Sequence, residues 1–201
     1  FGGLVFSHDL IHAIGGDDDT NRNMTRRLLL LLESAAVPVD NNEAVRARIV
    51  EAILDRYVKE DASFLMPGDT SLKIPRFLLN DVVRLWRTMA VDYANKYRVR
   101  DSEKWALRNI KLRMSRKLLF VSGLFMCISW LLHNREHGDT EPCRQQLIDH
   151  LRRWTDKTPL DSLAVIVQAY APDLASEIFD SYDSFLGMLD NSMSRQPVSY
   201  T

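Results

Sequence analysis

A chain of 201 residues, 46% hydrophobic and 26% charged with a net charge of −1, fits one domain and has the composition of an ordinary soluble globular protein. Two cysteines, Cys127 and Cys143, exclude a disulfide framework; with no basic-then-apolar leader after Phe1, a reducing, cytoplasmic setting is expected. The charge is near zero in sum but uneven in distribution. Lys73 to Lys117 holds thirteen Lys or Arg against four Asp or Glu, and the remainder holds thirteen against twenty-three.

Residues 1–14 are apolar, with His8 and His12, and predict a short helix; Gly15 to Asn21 reads as an acidic loop. The segment TRRLLLLLESAA is helical by propensity, with Asn23 or Thr25 as its cap and Pro38 beyond its end. Asn41 or Asn42 opens a third helix, in which Val45, Ile49, Ile53 and Tyr57 recur at helical spacing. Ser63 to Lys73, around Pro67-Gly68-Asp69, is a connecting loop. Pro75 then sits in the first turn of a helix running to about Tyr97. A polar joint, Arg98 to Ser102, leads into a long helix from about Glu103 to His137, with a bend expected near Gly123. Its apolar run from Leu118 to Leu132 is fifteen residues, against the about 20 that a bilayer crossing needs, so a buried central helix and no membrane partner are expected.

Gly138-Asp139-Thr140 stops that helix, and others open at Thr140-Glu141-Pro142, Thr158-Pro159 and Ala171-Pro172. The last stretch carries Asp173, Glu177, Asp180 and Asp183, and the polar residues 192–201 predict a frayed tail. With no strand pattern and no repeat, the expectation is one all-α domain: a bundle of about six to eight helices with one long central helix.

On the helix after Pro75, Asn80, Arg84, Arg87 and Thr88 fall on one face, while Leu78, Val82, Leu85 and Met89 supply the apolar side. On the next helix, Lys104, Arg108, Lys111 and Ser115 line up in the same way, with Arg116 alongside. The short link predicts antiparallel packing with the two polar stripes face to face. Such a groove suits phosphate, since Arg supplies forked donors, Lys a mobile charge, and Ser or Asn neutral hydrogen bonds. The plainer reading is a solvated basic face with scattered ion pairs to Asp81, Asp92 or Asp101.

The string FLLNDVVRLWRTMAVDYANK, followed by NIKLRMSRKLLFVSGLF, resembles the helical portion of bacterial nucleotidyltransferase-like proteins of the DNA polymerase beta superfamily. TRRLLLLLES after an acidic loop and TPLDSLAVI fit the same pattern, so the resemblance covers most of residues 15–170. It implies a helical domain that helps bind a triphosphate and acceptor beside a small catalytic domain. That partner domain would supply a Gly-Ser turn and an Asp-x-Asp pair holding Mg²⁺ with the nucleoside triphosphate. Carried over, Asn80, Arg84, Arg87, Lys111, Ser115 and Arg116 are the phosphate-binding candidates. The pattern departs in having no Gly-Ser turn followed by an Asp-x-Asp on a strand, so the catalytic domain is expected upstream of Phe1, and the chain by itself is expected not to transfer nucleotides. Asp17 and Asp19 do form an Asp-x-Asp, but a loop or capping role is expected because a helix follows at once.

Three further constellations carry chemistry. His8 with His12, and His133 with Glu136 and His137, have spacings that can grip a metal from one helix face, without a third ligand in view. Arg144 and His150 match the Arg-x-His spacing of small helical ribonucleases, which would require the two to share a cleft, across a dimer. A non-catalytic interaction module is the other alternative. Its basic stripe would dock an acidic protein partner or the chain's own Asp173, Glu177 and Asp180.

Overall fold

The computed structural model describes residues 5–33, 42–61, 74–99, 105–137 and 144–190, and every regular element among them is helical. The α-helices are α1 Ser7–His12, α2 Asn21–Leu32, α3 Asn42–Glu60, α4 Arg76–Val99, α5 Trp105–Lys111, α6 Lys117–His137, α7 Arg144–Thr155, α8 Pro159–Tyr170 and α9 Ala175–Asp190. A π-helical turn, Leu112–Arg116, joins α5 to α6, and a 3₁₀ turn, Pro172–Leu174, precedes α9. The all-α bundle with a long central helix is thus the observed fold. The Asp-bearing joint 100–104, the loop 62–73 and the tail from 191 lie outside the described residues, as do Cys143 and the side chains of His133, Glu136 and His137.

α6 packs against α4, α7 and α8, which accounts for its apolar sequence. Leu118, Leu119, Met126, Cys127 and Trp130 are buried in it. Arg108–Leu132 is the one span among the described residues long and apolar enough to cross a membrane, and it is partly buried within the bundle. Burial also pushes the Cys127 thiol well above its ordinary value, leaving it protonated and inert. The apolar side expected of α4 is the packed side: Leu78, Val82 and Leu85 are fully buried and Met89 lies against the core. Gly123 lets α4 and α6 approach closely. A Cβ there would lie 2.9 Å from Val82 Cγ1 and 3.1 Å from Leu32 Cδ1.

Helix ends follow local chemistry. Thr20, rather than Asn23 or Thr25, caps α2, its hydroxyl accepting from the Asn23 amide at 3.2 Å. The buried Asp61 carboxylate accepts from the Arg76 amide at 2.9 Å, placing a negative charge at the α4 N-terminus. Thr158 and Asp161 form a reciprocal capping box at α8. Where a bend is expected, at Gly123, the α-helical ladder is continuous; the long helix departs from it at Leu112–Arg116 instead. There the Lys117 amide reaches back five residues to the Leu112 carbonyl, as a π turn requires. The Tyr182 hydroxyl of α9 donates to the Met114 carbonyl in that turn at 3.0 Å.

A buried charge pins α2 to the loop before it and to α3 and α4. Arg27 is fully buried and donates to both oxygens of Asp19 at 3.2 and 2.7 Å, to Asp81 at 2.9 Å and to the Tyr57 hydroxyl at 2.7 Å. Tyr57 in turn donates to Asp81 at 2.7 Å. Desolvation opposes the charge, but the bonds to Asp19, Tyr57 and Asp81 outweigh it and hold the guanidinium above its ordinary pKa. Desolvation likewise raises the Tyr57 hydroxyl, keeping it protonated as a donor. Every partner in this cluster is satisfied, the condition under which a buried ion pair is tolerated.

Candidate functional site

A cleft of about 490 Å³ opens between α2, α4 and the π turn. Its apolar floor is Leu29 of α2, Leu85 and Met89 of α4 and Leu119 at the start of α6. Asn21, Arg22, Thr25 and Glu33 rise from α2, Thr88, Asp92 and Lys96 from α4, and Ser115 and Arg116 from the π turn. An apolar floor beneath a few converging polar groups is the usual build of a small-molecule site.

The polar groups are not equivalent. The Thr25 and Thr88 hydroxyls donate to carbonyls four residues back, at 2.6 and 2.8 Å, and so present oxygen lone pairs to the cleft. Ser115 is exposed on the π turn and offers a hydroxyl donor. Lys96 Nζ lies 2.6 Å from Asp92, while Arg116 stands 4.0 Å from the same carboxylate, at the outer limit of an ion pair. Desolvation at the wall raises the pKa of Glu33, although the residue is open to solvent on its outer side.

Of the six residues expected to hold phosphate, the structure brings Ser115 and Arg116 into this cleft. Arg84 stands at its edge, with Nη2 donating to Asn21 at 3.1 Å and Nη1 to Asp81 at 2.9 Å. Asn80, Arg87 and Lys111 are exposed and do not line it. The reason is helical phase. The α4 stripe through Asn80, Arg84 and Arg87 lies roughly 140° around the helix from the side bearing Leu85, Met89, Asp92 and Lys96. The long helix and α4 do meet, but along that second side. The third wall, α2, was readable only as a periodic pattern: Asn21, Thr25, Leu29 and Glu33 recur every four residues.

The remaining candidates are dispersed. Asp19 has both oxygens engaged by Arg27, and Asp17 is exposed. His8 and His12 stack at 4.6 Å between ring centroids on an exposed helix. Arg144 donates to the Asp55 backbone carbonyl of α3 at 3.2 Å and pairs with the Asp55 carboxylate. His150, on the same helix, is buried against α6, with Nε2 2.8 Å from Ser129 Oγ and its ring edge-on to Trp130. Within the chain, therefore, Arg144 and His150 face different helices among the described residues. Among the described residues no group of three or more His, Cys, Asp or Glu could hold a metal ion. Among the described residues, the ion pairs of Arg84 and Arg116 run to Asp81 and Asp92. Compared with known proteins, the chain matches no family model, no curated protein and no solved structure.

Proposed function

We propose that this chain is a helical phosphate-binding domain of the nucleotidyltransferase-like kind, and that the cleft between α2, α4 and the π turn receives a nucleotide. The observation that carries this reading is the convergence of Arg22, Ser115 and Arg116 above the floor of Leu29, Leu85, Met89 and Leu119. The apolar floor suits a base, and the forked guanidinium groups with the Ser115 hydroxyl suit phosphate oxygens. Nucleotide transfer would draw its carboxylates and Mg²⁺ from a separate domain, and the chain would contribute binding and orientation in the cytoplasm. Titration of ATP by calorimetry tests this. Arg116→Ala should weaken binding about tenfold, the worth of one charge-assisted hydrogen bond, whereas Arg87→Ala, outside the cleft, should not. Equal affinity of all three proteins would remove the cleft from consideration.

A second reading is favoured by the outward side of α4. Val83 and Val91 are exposed there beside Arg87 and Asn80, with no acidic residue between them. This basic and apolar stripe suits an acidic protein partner that buries the valines. Crosslinking from position 87 in the full chain tests it: a partner captured at Asn80 and Arg87 but not at Arg116 would separate the two surfaces.

A further inference from the structure

Asp92 has no obvious place in a cleft meant for an anion. It projects from α4 into the polar rim, where its carboxylate contacts Lys96 Nζ at 2.6 Å and Arg116 Nη1 at 4.0 Å. The two contacts differ in kind. Lys96 sits one turn along the same helix and stays beside Asp92 whatever occupies the cleft. Arg116 comes from the π turn and is near enough to feel the charge but makes no hydrogen bond to it among the described residues. We infer that Asp92 is the cleft's built-in counterion, facing the charge position an anionic ligand must take and so holding down the affinity of the cleft for anions. This inference rests on the phosphate-binding reading of the cleft.

The argument is electrostatic. Arg116 and Asp92 are both about half exposed, so their attraction is weak and a ligand can displace it at little cost. Any anion is repelled by Asp92, and the repulsion grows with the charge of the ligand. A pyrophosphate group carries several charged oxygens. It can engage Arg116 and Arg22 together and thereby outweigh the repulsion. Asp92 thus acts as a residue whose removal should strengthen binding, the opposite sign from the loss of a ligand-binding group.

Inorganic pyrophosphate and inorganic phosphate, titrated by calorimetry into wild type and Asp92→Asn, provide the test, with thermal melting as the check on folding. Wild type should bind pyrophosphate more tightly than phosphate. Asp92→Asn should bind both more tightly, by roughly three- to tenfold for one like charge removed from a half-exposed rim, and the preference for pyrophosphate should widen, because a like charge repels the more highly charged ligand more. Asp149→Asn on α7, a helix that lines no part of the cleft, removes the same charge and should leave both affinities unchanged; a gain there equal to that of Asp92→Asn would reduce the effect to net charge and overturn the inference. Wild type binding with no gain in Asp92→Asn overturns the inference and leaves the cleft reading standing. Absence of binding in both proteins overturns the cleft reading and the inference together.

Discussion

Arg84 reaches the cleft by way of Asp81. One Asp81 oxygen lies 2.9 Å from Arg84 Nη1, and the other accepts from Arg27 at 2.9 Å and from Tyr57 at 2.7 Å. A guanidinium that the sequence offers as a phosphate ligand therefore completes the outer side of a buried cluster, and only its Nη2 extends toward Asn21. The two arginines on this carboxylate should contribute very differently to stability. Arg27→Ala strips the cationic partner from Asp19 and leaves Asp81 with only Arg84 and the Tyr57 hydroxyl, both carboxylates being almost completely buried, and should cost about 3–5 kcal/mol. Arg84→Ala leaves Asp81 with its inner partners and should cost about 1 kcal/mol. Urea denaturation of both variants checks the ordering, and equal losses would mean the cluster is not the anchor described.

The approach of α4 to α6 at Gly123 makes a prediction contrary to helix propensity. Alanine is about 1 kcal/mol better than glycine inside a helix, yet its Cβ would meet both Val82 methyls, at 2.9 and 3.0 Å. Valine is stiff in a helix and cannot swing aside. With overpacking costing about 1–3 kcal/mol, Gly123→Ala should destabilise on balance. The double variant with Val82→Ala should lose less than the sum of the single losses, measurable as a coupling free energy in a double-mutant cycle.

Tyr182 ties the C-terminal helix to the π turn through a single hydrogen bond. Tyr182→Phe removes the donor to the Met114 carbonyl and should cost about 1 kcal/mol. The amides of residues 112–117 should exchange with solvent faster, while those of α3 keep their protection. Uniform acceleration across both regions would show that the bond supports the whole bundle and not that turn.

The capping box at α8 gives a pH dependence of definite sign. The Thr158 hydroxyl and amide both donate to the Asp161 carboxylate, at 2.7 and 3.1 Å, and hold its pKa below the ordinary 3.8. Its folded value being depressed, the stabilisation is present above the unfolded value and is lost as pH falls through the folded one. Thr158→Ala should move the Asp161 titration, followed by NMR, back up toward the ordinary range.

Much of the fold was legible because it is local. Leu78, Val82 and Leu85 at helical spacing identified the packed side of α4, and Thr158-Pro159 marked the start of α8. The pair Arg26-Arg27 shows where sequence ceases to decide. One arginine is fully buried because Asp19, Tyr57 and Asp81 converge on it, and those partners stand 8, 30 and 54 residues away. The cleft was half legible for the same reason. Ser115 and Arg116 belonged to an evident basic segment, but their opposing wall comes from α2, and the stripe of Asn80, Arg84 and Arg87 on α4 is turned roughly 140° from its cleft-lining side.

The five residues of π-helix between α5 and α6 amount to one extra residue threaded into an otherwise regular rod. One residue rotates everything before it by about 100° relative to everything after it. The rod is consequently two cylinders set at different angles on a common axis. Its later part can hold Met126, Cys127 and Trp130 against the core while Trp105 and Lys111, on the earlier part, stay at the surface. Deleting a single residue within 112–116 would bring the two cylinders into step. Either the apolar seam would turn outward or the basic turn would swing away from α2, and the molecule could not keep both its core and its cleft.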